Sequence, residues 1–97
     1  MIEVKQKNDG ISIKGHAHYA EPGKDIVCAG VSVLAQNLVA SIEALTTDEI
    51  QYDMQPGSVE IKYRNLSEAA QLLIDSFLVG ARMIEETYPA YVRISVE

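Results

Sequence analysis

Apolar and polar residues alternate at the start of the chain. Ile2 and Val4 are interleaved with Glu3 and Lys5, and after Asn8-Asp9-Gly10 the alternation resumes with Ile11 and Ile13 against Ser12 and Lys14. Successive side chains on a strand point to opposite sides, so period two around a glycine-containing turn predicts an antiparallel hairpin with one buried face. The next pattern is helical: Val27, Val31, Leu34, Leu38, Ile42 and Leu45 follow one another at steps of three and four. Asp25 precedes them as an N-cap, able to accept from the backbone N–H two or three residues on. A helix is therefore expected from there to about Leu45, roughly 30 Å long at 1.5 Å per residue. Ala29, Val33, Ala35, Val39 and Ala40 widen its apolar face, which predicts cover on more than one side.

The outline then repeats. Ile50, Tyr52 and Met54 alternate, Gln55-Pro56-Gly57 turns the chain, and Val59, Ile61 and Tyr63 alternate again. Ser67 caps a second helix carrying Ala70, Leu73, Ile74, Phe77, Ala81, Ile84 and Tyr88, which Pro89 stops, and a fifth strand runs from Tyr91 to Val96. No linker or low-complexity tract divides the ββα-ββα-β order, so residues 1–97 are read as one domain. Five one-sided strands and two long apolar helices predict an α+β two-layer sandwich with a mainly antiparallel sheet. Leu72, Val79 and Met83 lie off the main stripe of the second helix. Surplus apolar surface on a small domain marks a subunit interface, and a homodimer is expected.

Charge and composition exclude some partners. The net charge is −6, from 14 acidic against 8 basic residues with no basic cluster, which argues against direct nucleic-acid binding. An acidic surface suits a basic protein partner, and it also keeps a small domain dissolved. The single cysteine forbids an intrachain disulfide, so nothing argues for secretion. Met1-Ile2-Glu3-Val4-Lys5 lacks the basic-then-apolar opening of a signal peptide. No run approaches about 18 uninterrupted apolar residues, so no membrane association is expected. A cytoplasmic protein is the simple expectation.

The chemistry-bearing residues gather between the first hairpin and the first helix. Cys28 falls in the first helical turn, three residues after the Asp25 cap, where free N–H groups and the positive end of the helix dipole favour a thiolate. The thiolate is the form that attacks carbonyls, although a helical cysteine also serves as a small buried hydrophobe. His16 ends a strand just before the loop and can fold back over the helix start as general base. Residues two apart in an extended chain point to the same side, so His18 is equally placed to face the thiol. His16, His18 and Cys28, with Asp25 as a further ligand, also invite a metal reading, but their spacing matches no recurrent zinc pattern, and neither metal nor cofactor is expected. Ser32 lies one turn after Cys28 on the same helix face. Gly30 within the helix implies close approach by a substrate or a packing residue. Gly15 and Gly23 bracket the loop as hinges, and Pro22 limits its freedom.

Gly15-His16-Ala17, five further residues, then Gly23-Lys24-Asp25-Ile26-Val27-Cys28-Ala29-Gly30-Val31-Ser32 resembles the mark of the ribosomal-processing cysteine proteases, Prp. Length and element order agree as well, so the resemblance covers essentially the whole chain. It implies a homodimeric α+β endopeptidase of bacteria that removes the N-terminal extension of a basic large-subunit ribosomal protein, cutting after a phenylalanine. The nucleophile carries onto Cys28 and the base onto His16. Gly15, Ala17, Gly23, Asp25 and Ser32 match motif positions and His18 falls on a variable one; these six are expected to bind substrate or support the site. Phage-encoded relatives process capsid proteins, which gives an alternative substrate. A non-catalytic peptide-binding module associated with ribosome assembly is the alternative of another class.

Overall fold

The computed structural model describes residues 1–97. Strands β1 (Ile2–Lys7) and β2 (Gly10–Lys14) form the first hairpin, with Lys7 opposite Gly10 across Asn8-Asp9. Helix α1 (Ile26–Leu45) follows, then the hairpin of β3 (Gln51–Gln55) and β4 (Ser58–Lys62), helix α2 (Glu68–Thr87) and β5 (Val92–Val96). The two hairpins join through β2 and β4, giving the order β3-β4-β2-β1-β5, in which only β1 and β5 run parallel. The fold is the expected α+β arrangement of a mainly antiparallel sheet with two long helices.

The register explains which face is covered. Val4 sits opposite Ile13 and beside Ile94, and Ile13 opposite Val59, so apolar side chains collect on one side of the sheet. There Val4, Ile11, Ile61 and Val92 join Val27, Val31 and Ile42 of α1 and Ile74, Phe77 and Ala81 of α2 in one core. Each fully buried aliphatic or Phe side chain contributes about 1.5–3 kcal/mol relative to leaving it in water. Tyr52 shares this face on the edge strand β3 and stays 48% exposed, its hydroxyl donating to Glu43 Oε1 of α1 at 3.4 Å.

The helices interlock through glycine. A Cβ on Gly30 would lie 3.2 Å from Ile84 Cδ1, and one on Gly80 would lie 3.0 Å from Leu34 Cδ2. Gly30 therefore answers to a packing residue of α2, which settles the choice that sequence left open. By length and composition α1 could cross a membrane. Ser32, Gln36 and Asn37 interrupt its apolar run, and its Val27, Val31, Ala35, Leu38, Val39 and Ile42 side belongs to the core. Of the residues expected to bring cover on more than one side, Ala35 and Val39 are buried, whereas Val33 is 63% exposed and Ala29 and Ala40 are also open within one chain.

Candidate active site

The site begins where β2 leaves the sheet. Gly15 turns the chain with φ 97, a left-handed conformation that glycine adopts without steric cost. Its N–H donates to Gly57 C=O at 2.9 Å. The next residue is still tied to the sheet beside the start of β1, since His16 C=O accepts from Met1 N at 2.8 Å. His16 is thus fixed by its backbone to β1 and, through Gly15, to the β3–β4 turn.

The loop that follows is docked at several points. Ala17 is buried, and its N–H points at Cys28 Sγ at 3.3 Å, so the donor facing the sulfur is a backbone amide. A thiolate accepts such a bond more strongly than a thiol does. His18 adopts φ 55, unusual for a residue with a Cβ, and its ring centroid lies 5.9 Å from that of His16. Tyr19 packs edge-on against both Tyr88 and Tyr91, at centroid distances of 5.3 and 5.2 Å.

Asp25 joins the loop to the helix. Its Oδ1 accepts from Val27 N at 3.0 Å and Cys28 N at 2.9 Å, the expected N-cap. Its Oδ2 accepts from Tyr19 N at 2.9 Å and Ala20 N at 3.4 Å. The Cys28 amide, with the other amides that donate to the carboxylate, holds its pKa below the ordinary value. With both oxygens turned to backbone amides, Asp25 orients the Cys28 turn and the loop, and the His16, His18, Cys28 and Asp25 side chains do not converge as a metal-binding group.

Partly buried Cys28 lies between two recesses. A cavity of about 350 Å³ is lined by Gly15, His16, Cys28, Ser32 and, from the second hairpin, Met54 and Gly57 among others. A shallower groove of about 560 Å³ runs along His18, Pro22, Gly23 and Asp25. His16, Cys28 and Ser32 line both, so they form the saddle between them. Gly15, His16, His18, Pro22, Gly23, Asp25, Cys28 and Ser32 therefore line these recesses, Ala17 reaches the sulfur through its N–H, and Gly30 belongs to the helix packing instead. The β3–β4 wall (Met54, Gln55, Gly57 and Ser58) escaped the sequence reading, which saw Gln55-Pro56-Gly57 only as a turn. Gln36, one turn beyond Ser32 on α1, was missed too.

A cysteine at a helix start that lines the same two recesses as a histidine has counterparts among known proteins. The family described as cysteine protease Prp matches residues 1–93. The ribosomal processing cysteine protease Prp of Staphylococcus aureus (strain NCTC 8325 / PS 47) is 35% identical over 101 residues, covering 97% of this chain and 95% of that protein. The protein of the same name from Bacillus subtilis (strain 168) is 32% identical, over 84% of this chain and 79% of that one. The crystal structure of the S. aureus protease with a covalently linked product peptide superposes with a TM-score of 0.95 at 29% identity, each chain covered in full. Its complex with a substrate peptide gives 0.88 at 28% identity, again over both whole chains. With sequence and fold matched from strand β1 through β5, the chain belongs to the Prp family of cysteine proteases.

Proposed function

We propose that this protease works through Cys28 and His16 and removes the N-terminal extension of a large-subunit ribosomal protein. The observation that carries the reading is the saddle: a peptide laid from one recess to the other passes both the sulfur and the imidazole. His16 takes the proton of Cys28, and the thiolate adds to the scissile carbonyl carbon as the π pair moves onto oxygen. The adduct collapses with rupture of the C–N bond while His16 delivers its proton to the leaving amine. Water, deprotonated by His16, then adds to the thioester. The C–S bond breaks, the acid is released, and the proton returns to sulfur.

Several features support the substrate. Ile13, Val31, Met54 and Val59 give the cavity apolar walls suited to a large apolar side chain, such as the phenylalanine after which Prp proteases are expected to cut. A net charge of −6 favours encounter with a basic ribosomal protein, which also makes the cytoplasm the expected place of work. The S. aureus relative has been crystallised with substrate and product peptides. The bare helical face carrying Val33, Leu72, Val79 and Met83 suits a second copy of the chain, and sedimentation at the mass of a single chain would oppose a homodimer.

Incubation with the extended ribosomal protein, followed by mass spectrometry, tests the reading. Two fragments meeting after a phenylalanine are expected from the native enzyme and none from Cys28→Ala. Retained cleavage by that variant would remove Cys28 as nucleophile, and binding without cleavage by the native chain would leave a peptide-binding module.

A further inference from the structure

We propose that Gly57, at the tip of the β3–β4 hairpin, is a positioning residue for the His16 imidazole. The inference rests on the reading of Cys28 and His16 as a catalytic pair. Gly57 has φ 74, and a Cβ built on it would lie 2.5 Å from His16 Nε2, 3.0 Å from Cε1 and 3.2 Å from Cδ2. Three atoms of the ring thus surround the place a side chain would take, so the imidazole rests directly on the bare backbone of the turn. The same residue holds the histidine's backbone, because Gly57 C=O accepts the Gly15 N–H at 2.9 Å. One residue, distant in sequence, therefore sets where the chain enters His16 and where its ring stops.

The consequence follows from rotamers. A methyl group at position 57 would take the space of the ring, and His16 would have to leave it through another staggered χ1 well or an off-rotamer tilt. Either movement carries the ring away from its present place on the saddle with Cys28. Misplacement of a reacting group by about 1 Å can cost on the order of 100-fold in rate. Gly57 is thus a requirement of the chemistry as well as of the turn.

The test separates those two requirements. Asparagine tolerates a positive φ better than most residues yet carries a Cβ, so Gly57→Asn keeps the turn and displaces the ring. Cys28 alkylation by iodoacetamide is followed against pH in the native enzyme, His16→Ala and Gly57→Asn, with peptide cleavage measured alongside. Gly57→Asn is expected to give the alkylation profile of His16→Ala and to lose about 100-fold or more in kcat/KM. In the native protein, a nuclear Overhauser effect between the Gly57 Hα protons and the His16 ring protons is expected, and this needs no variant to fold. Its absence overturns the proposal, as does a folded Gly57→Asn with native alkylation and cleavage. If His16→Ala itself alkylates like the native enzyme, the catalytic pair fails instead, whatever the Overhauser effect shows.

Discussion

Removing the Tyr19 ring should release the loop while leaving Cys28 in place. Tyr19 makes two edge-on aromatic contacts, with Tyr88 at 5.3 Å and Tyr91 at 5.2 Å. Such pairs contribute about 0.5–1.5 kcal/mol each, and a ring 41% exposed belongs at the lower end of that range. Tyr19→Ala therefore weakens docking by about 1–2 kcal/mol, which raises the opening equilibrium roughly 5–30-fold. Amide hydrogen exchange reads this equilibrium directly. The amides at position 19 and at Ala20, bonded to Asp25, and at Lys24, bonded to Glu21 C=O, should exchange faster by that factor. Those of Val27 and Cys28, bonded to the other oxygen of Asp25, should hold their native rates. A double-mutant cycle with Tyr88→Ala should return a coupling of about 0.5–1 kcal/mol. Exchange at positions 19, 20 and 24 within twofold of native would refute the aromatic anchor, and equal acceleration at Val27 and Cys28 would mean that the helix start unravels with the loop.

Two further outcomes are expected. His16→Ala should abolish turnover with substrate binding retained, whereas His18→Ala should act mainly through KM; a dead His18→Ala beside an active His16→Ala reverses the assignment of the base. Because the Asp25 carboxyl titrates below its ordinary value of 3.8, its stabilisation is fully present above that value and is lost as pH falls through the lower native one. Melting temperature followed from neutral pH into that acid range should fall less steeply for Asp25→Asn than for the native chain, and parallel curves would show that Asp25 contributes nothing to the acid limb.

Much of this was legible in order along the chain, because strand alternation, helical spacing and the caps at Asp25 and Ser67 are local signals. The loop motif likewise placed His16 at a strand end and Cys28 at a helix start, and both line the same recesses. What sequence could not tell is which distant segments meet that loop. The Gln55-Pro56-Gly57 turn becomes a wall of the site only because β4 pairs with β2, bringing its tip beside Gly15. Tyr19 finds Tyr88 and Tyr91 only because β5 returns to lie parallel to β1. Neither pairing has a periodic signature, and the parallel one has no turn to announce it. The surplus apolar residues were visible, but alternation and spacing do not say whether a face meets the core or another molecule; Val33 was assigned to cover that a single chain does not supply.

The division of labour at Asp25 ties stability to mechanism. A conventional N-cap spends its side chain on the helix alone, so a loop anchored to the same residue would be expected to loosen the helix when it moves. Here Oδ1 serves Val27 and Cys28, and Oδ2 serves Tyr19 and Ala20. The loop can leave by breaking the Oδ2 bonds and the Tyr19 contacts while the turn that carries the thiol keeps its cap. The strained φ of His18 on one side and the glycine φ of Gly23 on the other place the conformationally unusual residues at the two ends of the movable segment. His16 lies just outside it, held by Met1, by the hydrogen bond between Gly15 and Gly57, and by the surface of Gly57. The groups assigned to bond making are thus fixed to the sheet and to a capped helix, and the loop between them is held by bonds that can break without uncapping that helix. Substitutions in the loop should for that reason alter substrate affinity before they alter the chemical step, and substitutions at the two glycines 15 and 57 should do the opposite.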